Sequence, residues 1–130
     1  MKILKEYPPN IVKIRKAFPI NVNTVFTYGD TIYAPLIEFQ IPTDLLVHEQ
    51  THAVQQGADP EGWWDRYISD VKFRFNQEMV AYKNQYQYYC SMVPDRNRRH
   101  KFAVTLAHDF ASPLYGGIVD FFAAINLIKG

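Results

Sequence analysis

The segment Leu45-Leu46-Val47-His48-Glu49-Gln50-Thr51-His52-Ala53-Val54-Gln55-Gln56 decides how the rest of the chain is read. It contains His-Glu-x-x-His, and at about 3.6 residues per turn His48 and His52 lie one above the other on a single helical face, with Glu49 beside them. Two neutral imidazoles so placed can both reach one Zn²⁺ at about 2.0–2.1 Å, while the carboxylate stands beside the metal without ligating it. There it can take a proton from water whose pKa the metal has lowered from about 15.7 to about 7.

The chain has four His and five Glu in 130 residues, which would produce this pattern by chance in roughly half a percent of such chains. The motif therefore carries information, and its setting adds more. Leu46, Val47, Ala53 and Val54 cover the sides and back of the helical wheel, whereas His48, Glu49, His52 and Gln56 form a polar stripe flanked by Leu45. A surface helix turns its polar residues to water and carries more charge. This one is expected to be buried, with the stripe lining a cleft.

Length and composition set the frame. The 130 residues suffice for one domain, 1–130, and 48% hydrophobic with 21% charged residues indicates a folded globular chain. A net charge of +1 and a pI of about 7.8 make no global electrostatic case for nucleic acid or a membrane surface. Cys90 is the single cysteine, so neither an intramolecular disulfide nor a cysteine-based zinc site can form within the chain. The N-terminal stretch lacks the apolar run of a signal peptide, and the apolar tail Ile118 to Ile128 is broken by Asp120 and Asn126. These features predict a soluble, cytoplasmic protein.

Working outward, Ile11 to Phe18 reads as a short helix capped by Asn10 and stopped by Pro19. Val25 to Tyr28 and Thr31 to Ala34 flank a Gly29-Asp30 turn and predict a β-hairpin, with further extended structure from Ile37 to Ile41. An edge strand beside a metal cleft can template an extended peptide, or the hairpin can simply form half the core. Thr43 is the expected N-cap of the metal helix and Gly57 its stop. Asp59-Pro60-Glu61 starts another helix, whose Trp63, Trp64, Tyr67 and Ile68 supply packing area. A longer helix from Phe73 to about Met92 carries Arg74, Glu78, Ala81, Tyr82, Gln85 and Tyr89 on one polar and aromatic side. A helix from Arg96 to about Ala111 follows, its basic first turns read as a solvated face. Ile118, Phe121, Phe122, Ile125 and Ile128 predict a closing amphipathic helix.

A catalytic zinc wants three protein ligands and one open position. Among the downstream carboxylates Glu61, Asp65, Asp70, Glu78, Asp95, Asp109 and Asp120, Glu78 is favoured because it sits mid-helix in the polar face. Asp70 is the reserve, with capping of the following helix as its more natural task. Tyr82 and Gln85 are candidates to hold a ligand histidine by its second nitrogen. Tyr115, ahead of His108, is the candidate to stabilise an oxyanion.

The His48-Glu49-x-x-His52 helix followed by Gln77-Glu78-x-x-Ala81-Tyr82 resembles the gluzincin class of zinc peptidases, in which two histidines and a downstream glutamate hold the zinc. More closely, Phe26-Thr27-Tyr28-Gly29-Asp30-Thr31-Ile32-Tyr33, His48-Glu49-x-x-His52-x-x-Gln55-Gln56, Trp63-Trp64-x-Arg66-Tyr67 and Ser112-Pro113-Leu114-Tyr115-Gly116 are similar to small phage and prophage proteins classed as metallopeptidases. The resemblance covers residues 24 to 117. It implies a minimal zincin fold, one Zn²⁺ per chain on His48, His52 and Glu78, Glu49 as general base, and a peptide or protein substrate. In one respect the chain differs: larger gluzincins often place Asp four residues after the ligand Glu, where Tyr82 stands here. The expected architecture is α+β and mostly helical, the hairpin packed over a central metal helix flanked by the Glu78 helix and two C-terminal helices. Two other functions share these features, a non-catalytic zinc protein acting through a protein partner and a peptidoglycan amide hydrolase.

Overall fold

The computed structural model describes residues 1–130 in the order β1 (Lys2–Leu4), α1 (Ile11–Ala17), β2 (Phe26–Tyr28), β3 (Thr31–Tyr33), α2 (Thr43–Gln56), α3 (Pro60–Ser69), α4 (Val71–Met92), α5 (Arg96–Phe110), a 3-10 turn (Pro113–Tyr115) and α6 (Phe121–Lys129). Six helices and three short strands make an α+β fold that is mostly helical.

The hairpin forms where turn chemistry directs it. Gly29 takes a φ of 63° at the first turn position, as a type II′ turn requires, and Thr27 lies opposite Ile32 in the antiparallel β2–β3 pair. β1, which the sequence reading missed, adds in parallel to the other side of β3, with Ile3 opposite Ile32. Three residues without alternation offer no strand signal of their own, so this pairing exists only through β3. The Ile37–Ile41 stretch forms no strand. Ile37 and Ile41 instead bury their side chains beside Ile32 and Ala34, with Leu45 and Leu46 packed against them. That cluster joins the sheet to α2.

Helix ends follow short-range polar chemistry in most places. Asp59, Asp70, Asp95 and Asp120 accept backbone N–H bonds at the starts of α3, α4, α5 and α6. α4 therefore begins at Val71, ahead of the expected Phe73. Thr43 does not cap α2: Pro42 holds that position with a φ of −59°, and Thr43 is already helical. Asn10 stands at the N-cap of α1 but makes no capping bond, its side chain being turned into the interior. α1 ends before Phe18, whose extended φ of −136° is what a residue preceding proline prefers.

α4 is the centre of the molecule. α2 packs along one side of it, while α5 and α6 pack on α4 and on each other rather than flanking the metal helix as expected. Phe75, Leu106, Phe110 and Ile128 fill that second interface, with Phe75 and Phe110 stacked at 4.7 Å. In α6 the buried residues are Ala124 and Ile128; Ile118 lies before the helix and Phe122 is exposed. Arg99 was assigned to a solvated basic face, yet its guanidinium donates to the carbonyls of Cys90 at 2.6 Å and Val93 at 2.5 Å. It closes the carbonyl end of α4.

Candidate metal centre

α2 is inverted relative to a surface helix. Its buried residues are His48, Glu49, His52 and Gln56, whereas Val54 is 83% exposed. The facing side of α4 is polar too, burying Arg74, Glu78 and Gln85 beside Ala81 and Tyr82. Two helices that press polar stripes together in the interior must satisfy every group between them.

His48 Nε2 and His52 Nε2 both approach Glu78 Oε1, at 2.9 and 3.0 Å. The ligand atoms of these three buried side chains lie within 4.8 Å of one another and could hold a metal ion. The other oxygen of Glu78 accepts a 2.5 Å bond from the Tyr67 hydroxyl. Tyr67 thus settles how the carboxylate is turned.

The outer ring nitrogens are equally constrained. Gln85 donates through Nε2 to the Asp44 carboxylate at 2.8 Å, so its Oε1 is the atom facing His48 Nδ1 at 2.9 Å. Gln55 donates through Nε2 to the Gln77 carbonyl at 3.0 Å and turns Oε1 to His52 Nδ1 at 2.8 Å. Both Nδ1 atoms must therefore carry a proton and donate it. In the neutral rings this leaves both Nε2 lone pairs aimed at a carboxylate oxygen, an arrangement of acceptors that only a cation can satisfy.

A proton answers this demand in the metal-free chain. Burial pulls the His52 pKa down, but the Glu78 charge and hydrogen bond outweigh it and raise it to about 9. Burial pushes Glu78 up, and the two histidines outweigh that, holding its carboxyl well below the usual range. A divalent ion supplies the same positive charge between preoriented lone pairs, and the donor set of two imidazoles and one carboxylate suits zinc chemistry.

Glu49 is buried next to this group. Burial raises its carboxyl above the ordinary value, with the neighbouring histidines opposing and the Glu78 charge adding. Its one hydrogen-bonding neighbour is the Thr27 hydroxyl at 3.3 Å, on β2. Thr27 is itself held firmly. Its carbonyl accepts from Gln56 Nε2 at 2.7 Å and from Trp64 Nε1 at 2.9 Å, while Gln56 Oε1 accepts from Gly29 N at 2.7 Å. The Gln56 carboxamide thereby occupies the free edge of β2 as a neighbouring peptide group would. At Thr27 that edge is closed to an added strand, and the hairpin serves as core and as support for Glu49.

Five of the other six candidate carboxylates are engaged elsewhere, and the sixth, Asp109, lines a cavity beside His48 and Glu49. Glu61 and Asp65 pair with Lys13 on the surface, and Asp70, Asp95 and Asp120 cap helices. Tyr82 does not orient a histidine through its hydroxyl: that group lies 3.4 Å from the Tyr115 hydroxyl, and its ring stands edge-on to His48 at 4.7 Å. Gln85 takes the orienting role. His108 is exposed and stacks on Phe121 at 4.5 Å, away from the group. Tyr115 is buried and fixed by its turn, because Arg74 donates to the Leu114 carbonyl at 2.9 Å and to the Tyr67 carbonyl at 2.7 Å.

Two connected cavities open on this centre and share His48, Glu49 and Tyr115. One, of about 300 Å³, also reaches His52 and Glu78 and is walled by Phe18, Phe26, Trp63 and Trp64. The other, of about 540 Å³, runs past Tyr82 and Gln85 to Leu106 and Asp109. Sequence reasoning missed Tyr67, Gln55, Asp44 and Thr27. Two of them carried a signal: a buried tyrosine requires a partner for its hydroxyl, and Gln55 lies three residues after His52 on the same helix face. No helix is long and apolar enough to cross a membrane. No protein-family model, curated protein or solved structure matches the chain, so the chemistry is read from this geometry.

Proposed function

We propose that the protein is a zinc-dependent metallopeptidase with a minimal zincin-like fold and a gluzincin-like ligand set. The observation that carries this reading is the convergence of His48 Nε2, His52 Nε2 and Glu78 Oε1 beside a buried Glu49, at the meeting point of two cavities. Zinc, when bound, supplies Lewis acidity that acidifies water and polarises a carbonyl.

The chain's residues do the rest. Glu49, raised by burial, takes the proton of the attacking water and returns it to the leaving amine. Thr27 holds one of its oxygens and leaves the other for that exchange. Tyr115 lines the cleft with its hydroxyl 3.4 Å from that of Tyr82, and from there it can donate to the scissile carbonyl oxygen as charge develops. Gln85 and Gln55 keep the two imidazoles in the tautomer that presents Nε2.

The geometry favours this over a closed, non-catalytic zinc site, because the group that could hold a metal has three members and faces open space. The test is metal analysis together with turnover. About one zinc per chain should survive Asp70→Ala and be lost in Glu78→Gln. Glu49→Gln should keep the metal and lower peptide hydrolysis by roughly 10²–10⁴. Full hydrolysis by Glu49→Gln would sink the mechanism.

A further inference from the structure

The two cavities differ in chemistry. The smaller is walled by aromatic and aliphatic side chains, whereas the larger ends at Leu106, Asp109 and Ser112 on and after α5. Among the carboxylates lining this cleft, Glu78 is bound by two histidines and Tyr67, and Glu49 by Thr27. The protein's ion pairs involve Lys13, the site histidines and Arg66, and Asp109 takes part in none of them.

Asp109, exposed on α5, also sits in an unfavourable place. It occupies the last turn of α5, the negative end of the helix, where the backbone repels a carboxylate. No lysine or arginine lines either cavity, although the chain has 14 of them. Its neighbour His108 is turned onto the Phe121 ring and, like His48, reaches the Asp109 carboxylate only through space, with no hydrogen bond or ion pair. A divalent ion at the centre is balanced by Glu78 and Glu49, which leaves the larger arm with the net negative charge of Asp109. Such a group favours a cation brought in from outside the protein.

We infer that the larger arm receives the cationic side chain of a lysine or arginine in a peptide substrate, with Asp109 selecting it. The cleavage step rests on the metallopeptidase reading; the charge selection rests on the arm alone. The aromatic arm holds the chain on the other side of the shared residues, so the substrate is a peptide pairing a bulky apolar residue with a basic one.

The experiment compares peptides identical except for Lys or Gln, with that position scanned on both sides of one aromatic residue. Turnover by the zinc-loaded protein is measured, and in parallel binding to zinc-loaded Glu49→Gln by fluorescence anisotropy, which needs no catalysis. At one position the Lys peptide should be favoured roughly tenfold, the scale of a charge-assisted hydrogen bond in a partly open site. The ratio should fall to about one in Asp109→Asn, recover in Asp109→Glu, and turn toward a Glu peptide in Asp109→Lys. Turnover or binding without a Lys preference, or with one that survives Asp109→Asn, overturns the inference, as does failure of every peptide to bind. An Asp109-dependent preference in binding with no hydrolysis would overturn the peptidase reading and leave the arm's selectivity standing.

Discussion

Tyr67 touches no ring nitrogen, yet its 2.5 Å bond to Glu78 Oε2 determines which carboxylate oxygen faces the histidines. Tyr67→Phe keeps the ring that stacks on Trp63 at 4.8 Å and removes only that bond. Zinc affinity should fall about 10–100-fold with the circular dichroism spectrum unchanged, as chelator competition would reveal. The His52–Glu78 pair makes a second statement, about pH. In the metal-free protein the His52 pKa, about 9, stands above its ordinary value of 6.5. The folded state holds the proton more tightly, so this stabilisation is complete below about pH 6.5 and is lost as pH rises through about 9. Glu78 works in the opposite sense: its depressed pKa contributes stability above about pH 4.5, lost as pH falls toward the folded value. Thermal melts in chelator should therefore show Tm declining on the alkaline side of neutrality. His52→Gln should flatten that decline.

α2 inverts the usual relation between polarity and exposure, and substitutions along it should invert as well. Val54 is 83% exposed, so Val54→Gln should change stability by no more than about 0.5 kcal/mol. Gln56→Leu conserves size but strips the β2 edge of its partner for Gly29 N and of one of two donors to the Thr27 carbonyl. Leaving the partly buried Gly29 N–H unpaired costs about 1 kcal/mol, and urea denaturation of the two variants should resolve the difference. Because Thr27 also holds Glu49, the same change loosens the support of the proposed base.

Across the whole molecule, α4 divides the packing. One face carries the polar centre against α2, and the other joins the apolar cluster formed with α5 and α6. A metal on His48, His52 and Glu78 ties α2 to α4 across a chain separation that the unfolded state cannot hold. Zinc at about a thousandfold excess over its Kd should therefore add about 4 kcal/mol to unfolding, read as a concentration-dependent rise in Tm. Glu78→Gln should remove most of that dependence. In Phe110→Ala, which opens the apolar cluster one ring removed from His48 through Tyr82, the fold should weaken while the zinc-dependent increment persists.

What the sequence determined by itself is what depends on residues close along the chain. The helical period that stacks His48 on His52, the polar face that contains Glu78, the Gly29-Asp30 turn and the aspartate cap of α3 all rest on local spacing or local hydrogen bonds. The burial of the α2 stripe was legible too, since His, Glu and Gln beside leucine and valine make poor sense facing water, but the exposure of Val54 on the back of that helix was not. Only the tertiary structure decided which acceptors meet the two Nδ1 atoms, that Gln85 and not Tyr82 orients His48, and that Tyr67 holds Glu78. It also decided that β1 joins the sheet, that Gln56 closes the β2 edge, and that α5 and α6 pack on α4. Each of these is a meeting of residues from separate elements, and such meetings depend on how buried faces share polar partners, a property of no single stretch of chain.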